Sequence, residues 1–218
     1  MLDIIFLSYD EPQADENFKK LKLRFPLAKR VHGVKGIDNA HFKAAEKAKT
    51  KSFYVVDADI AVRDNFDFSY VPPDHQSQYV HIWMCHNPVI NETYGYSGIK
   101  LFNKDFFAER KPFLDFSTSL GNGVVYHKDV ASDVHFDSSP LTTFRAAYRE
   151  AFKLAKNPNT ESQERLRNWR TKDPKCNNPE WFMLGVALGV HHANNMKNMD
   201  VNDFDRIQEV YYSSLNAF

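Results

Sequence analysis

Apolar residues at the start of the chain gather into short runs, separated by polar stretches with helical spacing. The run Leu2-Asp3-Ile4-Ile5-Phe6-Leu7 reads as a buried strand that stops at the polar turn Ser8-Tyr9-Asp10-Glu11-Pro12. Residues 14–24 place Phe18, Leu21 and Phe25 on one stripe, which predicts a helix ended by Pro26. A second strand is expected over 31–34, with Gly33 and Gly36 marking the turn after it. A second helix is expected over 37–49, with Ile37, Ala40, Ala44, Ala45 and Ala48 on one face. A third strand, 52–56, runs straight into Asp57-Ala58-Asp59.

Strand, helix, strand, helix, strand in this order predicts an α/β fold with a mostly parallel sheet flanked by helices. Ligands of such sheets bind beyond the carboxyl ends of the strands. Three polar clusters fall there, at 8–11, 35–39 and 57–59, and are expected to converge on one crevice. Further strands are expected at 79–84, 98–102 and 124–126, the last after the turn-forming Gly121-Asn122-Gly123.

The last third reads as helical. Residues 141–156 put Leu141, Phe144, Tyr148, Ala151 and Ala155 on one face and Arg145 and Arg149 on another. Thr160-Glu161-Ser162-Gln163 fits a capping box opening a helix to Trp169. Asn178 and Pro179 suit the first positions of a helix to Met196, and Asn202 or Asp203 would cap a final one. In the apolar helix around 181–190, Gly185 and Gly189 allow close helix packing, in a core or at a dimer surface. The expected organisation is one domain over 1–218, with a ligand-binding half at 1–103, a second half at 104–156 and a helical extension at 157–218.

Composition narrows the class. In a chain of 218 residues, 43% hydrophobic and 14% aromatic side chains suffice for a sizeable core. The 28 basic and 28 acidic residues cancel, which argues against a protein that coats nucleic acid nonspecifically by neutralising many phosphates. The two cysteines, Cys85 and Cys176, do not make a disulfide framework and are expected as reduced thiols. The N-terminus lacks the pattern of a signal peptide, and no apolar run approaches the ~20 residues of a membrane span. A cytoplasmic protein, monomer or homodimer, is the expectation.

The segment after the third strand carries the chemistry. A D-x-D is common and mostly marks a solvated turn; this one ends an apolar strand, third in a βαβαβ run. Alternation along an extended chain points Asp57 and Asp59 the same way, about 7 Å apart at ~3.3 Å rise per residue. Two adjacent carboxylates repel, and a divalent cation relieves that. Hard oxygen ligands favour Mg²⁺ or Mn²⁺, which bind through one or two carboxylates plus substrate phosphates. Such an ion would activate a nucleoside diphosphate as a leaving group.

These residues resemble glycosyltransferases of the GT-A fold. The matching parts are residues 2–10 as the first nucleotide-binding strand and turn, Asp57-Ala58-Asp59 as the D-x-D, and the helix opened by Gly36-Ile37-Asp38-Asn39-Ala40. The resemblance covers the N-terminal strands closely and the region after them loosely. The chain also looks like small glycosyltransferase-like proteins of tailed bacteriophages. That likeness rests on Ser8-Tyr9-Asp10-Glu11-Pro12, Arg30-Val31-His32-Gly33-Val34-Lys35-Gly36 and Tyr94-Gly95-Tyr96-Ser97-Gly98-Ile99-Lys100-Leu101-Phe102. Some enzymes of that kind attach a sugar to hydroxymethylated cytosine in phage DNA.

The resemblance implies a GT-A-like, Rossmann-type fold and a nucleoside-diphosphate sugar as donor, UDP-linked, with Mn²⁺ or Mg²⁺. The acceptor hydroxyl would lie on 5-hydroxymethylcytosine in DNA. Ser8, Tyr9 and Asp10 would hold the nucleoside, Tyr9 by stacking, and Lys35 and Asn39 would touch the nucleotide. Asp57 and Ala58 would line the donor site, and Gly98 would let the sugar approach the backbone, unless it marks a β-bulge. Asp57 and Asp59 would hold the metal, with His135 or His192 as a further ligand. Asp137, before the helix of 141–156, would be the catalytic base, unless it or Ser138 only caps that helix. Arg145 and Arg149 would clamp a phosphate, unless they form a solvated face.

Two other readings stay open. The Asp pair would also serve a nucleotidyl- or phosphoryl-transferase, although no G-x-x-x-x-G-K loop is present. The same scaffold would also serve as a non-catalytic nucleotide-sugar-binding module.

Overall fold

The computed structural model describes residues 1–95, 98–108, 123–171, 173–196 and 199–215. It divides into two compact units, Met1–Asn87 with Thr93–His135, and Pro88–Glu92 with Phe136–Phe218.

The first unit is built on a mixed sheet. Its strands are β1 (Asp3–Ser8), β2 (Lys29–His32), β3 (Ser52–Asp57), β4 (Ile60–Val62), β5 (Val80–Asn87), β6 (Glu92–Tyr94), β7 (Ile99–Asn103) and β8 (Val124–Val134). The order is β2-β1-β3-β7-β5-β8-β4, with β6 paired to β5. Strands β2, β1 and β3 are parallel, β7 runs antiparallel to both β3 and β5, β8 is parallel to β5, and β4 is antiparallel to β8. Five of the seven strands on the main path thus point one way, which is the mostly parallel α/β arrangement expected.

Helices α1 (Ala14–Arg24) and α2 (Ile37–Lys47) connect the first three strands, and a short α3 (Asp105–Ala108) follows β7. Strand alternation separates their cores. Ile5, Leu7, Phe53 and Val55 face Ala44, Ala45 and Ala48. Phe6, one residue out of phase, meets Phe18 of α1 with ring centroids 5.3 Å apart. The chain steps from β1 outward to β2, then back past β1 to β3, so right-handed crossovers put α1 and α2 on opposite faces. The reversal of strand order falls between β1 and β3, and such switch points are where open α/β sheets bind ligands, at the carboxyl ends of the strands.

Strand β2 sits two residues earlier than expected. It is an edge strand with a single inward apolar residue, Val31, and its charged flanks are paired. Lys29 bonds Asp3 at 2.7 Å, and Arg30 bonds Asp15. Strand β8 runs well past 126, because its polar stretch His127-Lys128-Asp129 lies on a half-exposed strand rather than in a loop. Its pairing with β5 shifts register on either side of Met84. The turn residues Gly121 and Asn122 lie outside the described residues.

The second unit is helical: α4 (Pro140–Lys156), α5 (Thr160–Trp169), α6 (Pro179–Asn195) and α7 (Phe204–Leu215). A Cβ at Gly185 would meet the Phe144 carbonyl oxygen at 2.6 Å, and one at Gly189 the Tyr148 carbonyl oxygen at 2.4 Å. These glycines let α6 lie directly on the α4 backbone, so they serve a core. The same contact groups α4 with α5, α6 and α7 in the unit of Pro88–Glu92 and Phe136–Phe218. Ser139 caps α4 with a reciprocal bond to Thr142. Asn159, not Thr160, caps α5 by accepting from the Ser162 N–H at 2.7 Å. Both cysteines carry free thiols, and among the described residues no helix is long and apolar enough to cross a membrane.

Candidate active site

Asp57 closes β3 at the crevice. Its N–H donates to the Gly98 carbonyl at 2.9 Å, so two of the expected donor-site residues are neighbours. Both carboxylate oxygens accept from Lys100 Nζ, at 3.0 and 2.8 Å. Lys100 is only 1% exposed and lies on β7, opposite Val55 of β3. Burial pushes the Asp57 carboxyl up, and Lys100 on both of its oxygens opposes that. Asp57 thus carries a side-chain amine on both of its oxygens. The sequence signal was a single lysine inside the apolar strand Ile99-Lys100-Leu101-Phe102.

The turn from Asp57 to Ile60 is tied down from two sides. Asn17 of α1 donates to the Ala58 carbonyl at 2.9 Å. The His135 N–H donates to the Asp59 carbonyl at 2.7 Å, and Gln13 donates to the His135 carbonyl at 2.6 Å. Ala58 is buried, where a small residue fits. Asp59 stands opposite His135, continuing the Ile60↔Val134 ladder. Directly opposed residues of such a ladder have Cβ atoms about 5 Å apart.

Glu11, part of the first polar turn but not singled out by sequence, joins this group. Its Oε2 accepts from the Tyr9 N–H at 2.7 Å. Burial pushes its carboxyl up, and the negative charges of Asp59 and Asp10 add to the shift.

Among the described residues, no group of three or more His, Cys, Asp or Glu side chains is placed to hold a metal. The Asp59 and Glu11 carboxylates interact, and His135 is joined to Asp59 through its backbone, so these residues offer two carboxylates rather than a three-donor set. Asp57, paired with Lys100, has less need of an ion. The residues fit a Mg²⁺- or Mn²⁺-type ion only as a partial shell completed by phosphate oxygens.

The other expected residues take varied places. Ser8 is buried, and its hydroxyl accepts from Arg30 Nε at 2.8 Å and bonds His32 Nδ1 at 2.9 Å. Tyr9 and Asp10 are exposed at the end of β1. Lys35 and Asn39 are exposed beyond β2, where Asn39 Nδ2 donates to the Lys35 carbonyl at 3.1 Å. Gly36 between them has φ +89°, which a side chain would strain. Tyr96 and Ser97 lie outside the described residues.

Four candidates belong to the helical unit. Asp137 Oδ2 accepts from the Asn177 N–H at 3.0 Å, and its carbonyl accepts from Asn178 at 2.9 Å. It latches two loops and does not cap α4, which Ser139 does. His192 Nδ1 is 2.6 Å from the Tyr148 hydroxyl. The guanidinium groups of Arg145 and Arg149 lie 4.6 and 4.7 Å from the Phe204 ring centroid, and Arg149 Nε donates to the Val201 carbonyl at 2.8 Å. The two arginines hold α7's start against α4, where an open phosphate clamp was one expectation.

A further polar array went unread in the sequence. Ala61 of β4, Asp133 of β8 and His86 of β5 lie in register across three adjacent strands. Asp133 accepts from Arg63 Nε at 2.9 Å and Arg63 Nη2 at 2.8 Å, and from His86 Nδ1 at 2.9 Å. Arg63, and then His86, hold the Asp133 carboxyl below the usual carboxylate range. Cys85, beside His86, faces the buried side, and burial pushes its thiol up to about 12.

No protein-family model matches the sequence, and no curated protein does. Among solved structures, the chain is similar to a glycosyltransferase involved in the glycosylation of the major capsid of PBCV-1, at 15% identity over 62% of this chain and 94% of that one, TM-score 0.38. It is similar to the galactosyltransferase LgtC in complex with donor and acceptor sugar analogs, at 12% identity over 85% and 95%, TM-score 0.40. It is also similar to a putative glucose-1-phosphate thymidylyltransferase from Bacillus anthracis, at 13% identity over 58% and 68%, TM-score 0.38.

Proposed function

We propose that the chain is a glycosyltransferase that moves a sugar from a nucleoside-diphosphate donor to a hydroxyl acceptor. The observation that carries this reading is the group at the carboxyl ends of β1 and β3. An exposed tyrosine and acid at Tyr9 and Asp10 stand beside Asp57, fixed by Lys100, and Asp59, stationed near Glu11 and His135.

In this reading Tyr9 stacks on the base, and Asp57 accepts from a donor hydroxyl. Lys100 holds that carboxylate in one orientation. Asp59 and Glu11 would hold a divalent ion, with His135 the further ligand that the family resemblance implies. When bound, the ion supplies positive charge to the departing diphosphate. The family resemblance implies Asp137 as a base, but its bonds to Asn177 and Asn178 give it a loop-latching role, and Asp137→Asn separates the two.

Calorimetry with UDP, GDP and CDP, each with Mn²⁺, decides the reading. Binding of one nucleotide that weakens at least tenfold in Asp59→Asn supports it; no binding of any sinks it. Mass spectrometry of products separates the alternatives. Released nucleoside diphosphate marks sugar transfer or donor hydrolysis, pyrophosphate marks nucleotidyl transfer, and binding without turnover marks a binding module. Hydroxymethylcytosine DNA belongs in the acceptor panel, and its binding should weaken steeply with salt if it is the acceptor.

A further inference from the structure

Residues 17–37 hold seven lysines and arginines and no acid, in a chain whose total charge is zero. They cover the second half of α1, the turn after it and β2. Several of these cations are committed within the fold. Arg24 donates to the carbonyls of Val62, Arg63, Asp64 and Phe66. Lys29 bonds Asp3, and Arg30 bonds Asp15. Lys20 pairs with Glu16 at 2.7 Å, but the two side chains are 67% and 68% exposed, so the bond is readily exchanged for another anion. Lys19 and Lys22 are exposed and form no ion pair among the described residues.

The same surface carries two leucines that the fold does not bury. Leu23 is 76% and Leu27 81% exposed; among the described large hydrophobics only Met1 is more exposed. Lys19 and Lys20 stand four and three residues before Leu23 on α1, which places their Cβ atoms about 5–6 Å from its own. Leu27 lies in the turn closed by the Ala28 N–H on the Phe25 carbonyl at 2.9 Å, and Ala28 is buried beneath it. Beside Leu23 a cavity of about 280 Å³ opens, with Leu21, Ile60 and Val62 in its wall and Lys20 among its lining.

Single exposed leucines are ordinary. Two of them on a helix end and the next turn, beside uncommitted lysines, ask for a surface that is both anionic and apolar. A polynucleotide meets only the first need, since phosphate contacts make no use of leucine. A second copy of the chain would set lysine against lysine. An anionic bilayer meets both: its phosphates face the ammonium groups, and the leucines enter the acyl boundary beneath.

We propose that the C-terminal end of α1 and the turn after it dock on an anionic lipid bilayer. Lys19, Lys20 and Lys22 lie on the headgroups, and Leu23 and Leu27 insert between them. The attachment is peripheral and reversible, because so few side chains fall far short of an anchor. The proposal goes beyond the transferase reading and does not depend on it.

Flotation of the full chain with vesicles tests it. Wild type should bind phosphatidylcholine vesicles holding about one-third phosphatidylglycerol, and not pure phosphatidylcholine. Binding should weaken as salt rises. Lys19→Gln with Lys22→Gln should weaken it about 25-fold, roughly fivefold per charge. Leu23→Ser with Leu27→Ser should weaken it at least about tenfold with the charge unchanged. In Leu27→Trp, the added fluorescence should be quenched by lipids brominated in the acyl chains. Thermal unfolding and nucleotide calorimetry should match wild type in both double variants, since all four side chains are exposed and outside the donor site.

Equal binding to neutral vesicles, or undiminished binding by the leucine variant, would overturn the proposal. So would duplex DNA bound as tightly as the vesicles, which marks a polyanion site. A wild-type dimer that the leucine variant splits in sedimentation would overturn it too, in favour of a second copy. Absence of nucleotide binding with intact vesicle binding would sink the transferase reading alone, and the reverse result would sink this one alone.

Discussion

Lys100 is the side chain that most changes how the Asp pair is understood. A lysine at 1% exposure survives only with a partner, and Asp57 is that partner at 2.8 Å. Removing the ammonium leaves a carboxylate in a mostly buried place. Lys100→Met should therefore cost about 3 kcal/mol by urea denaturation. Adding Asp57→Asn to that variant should recover much of the loss, because no unpaired charge remains; simple additivity of the two would refute the coupling. Donor binding should be lost in both, since Asp57 would no longer be held. The aspartates were legible in sequence because they terminate an apolar strand. Lys100 and Glu11 were not, because their roles depend on neighbours 43 and 48 residues away in the chain: Asp57 for the lysine and Asp59 for the glutamate.

Among the elements, α4 and α6 are joined through a close backbone approach at Gly185 and Gly189. Gly189→Ala places a methyl 2.4 Å from a backbone oxygen, which no rotamer change relieves. It should destabilise the protein by about 3 kcal/mol, while Ala187→Ser on the exposed side of α6 should stay within about 0.5 kcal/mol. Strands β5 and β8 are joined by a different device, the pair His81 and His127, 3.0 Å apart. His81 Nε2 donates to the Gln76 carbonyl, so His81 Nδ1 accepts from His127 Nε2. Trp83 stacks on the His127 ring at 4.4 Å, and burial pushes both imidazoles below their ordinary values. The unfolded chain then takes up protons first. Stability should be flat above about pH 6.5 and fall as pH drops below it; His127→Gln should flatten that slope in denaturation series from pH 8 to 5. Helix spacing and capping residues announced α1, α4, α5, α6 and α7 within a residue or two. The three-residue strands β4 and β6 carry too few positions for any period to show, and only their partners make them strands.

At the scale of the whole molecule, balanced charge is a property of the sequence that survives folding. With 28 acids and 28 bases, mutual repulsion between copies is weakest near neutral pH. Solubility in low-salt buffer should pass through a minimum there and rise on either side; a monotonic profile from pH 5 to 9 would contradict it. The sequence by itself determined the α/β class, the alternation of β1 to β3 with α1 and α2, and the helical last part. Those features rest on local periodicity and on end signals that neighbouring residues read directly. It also determined that Asp57 and Asp59 end a buried strand. Tertiary structure alone decided that β7 enters the sheet antiparallel between β3 and β5 and so brings Lys100 onto Asp57. It alone set His86 against Asp133 across 47 residues of chain. Strand order and register are settled by long-range pairing energy, which no window of sequence contains, and the chemistry of this crevice is a consequence of that pairing.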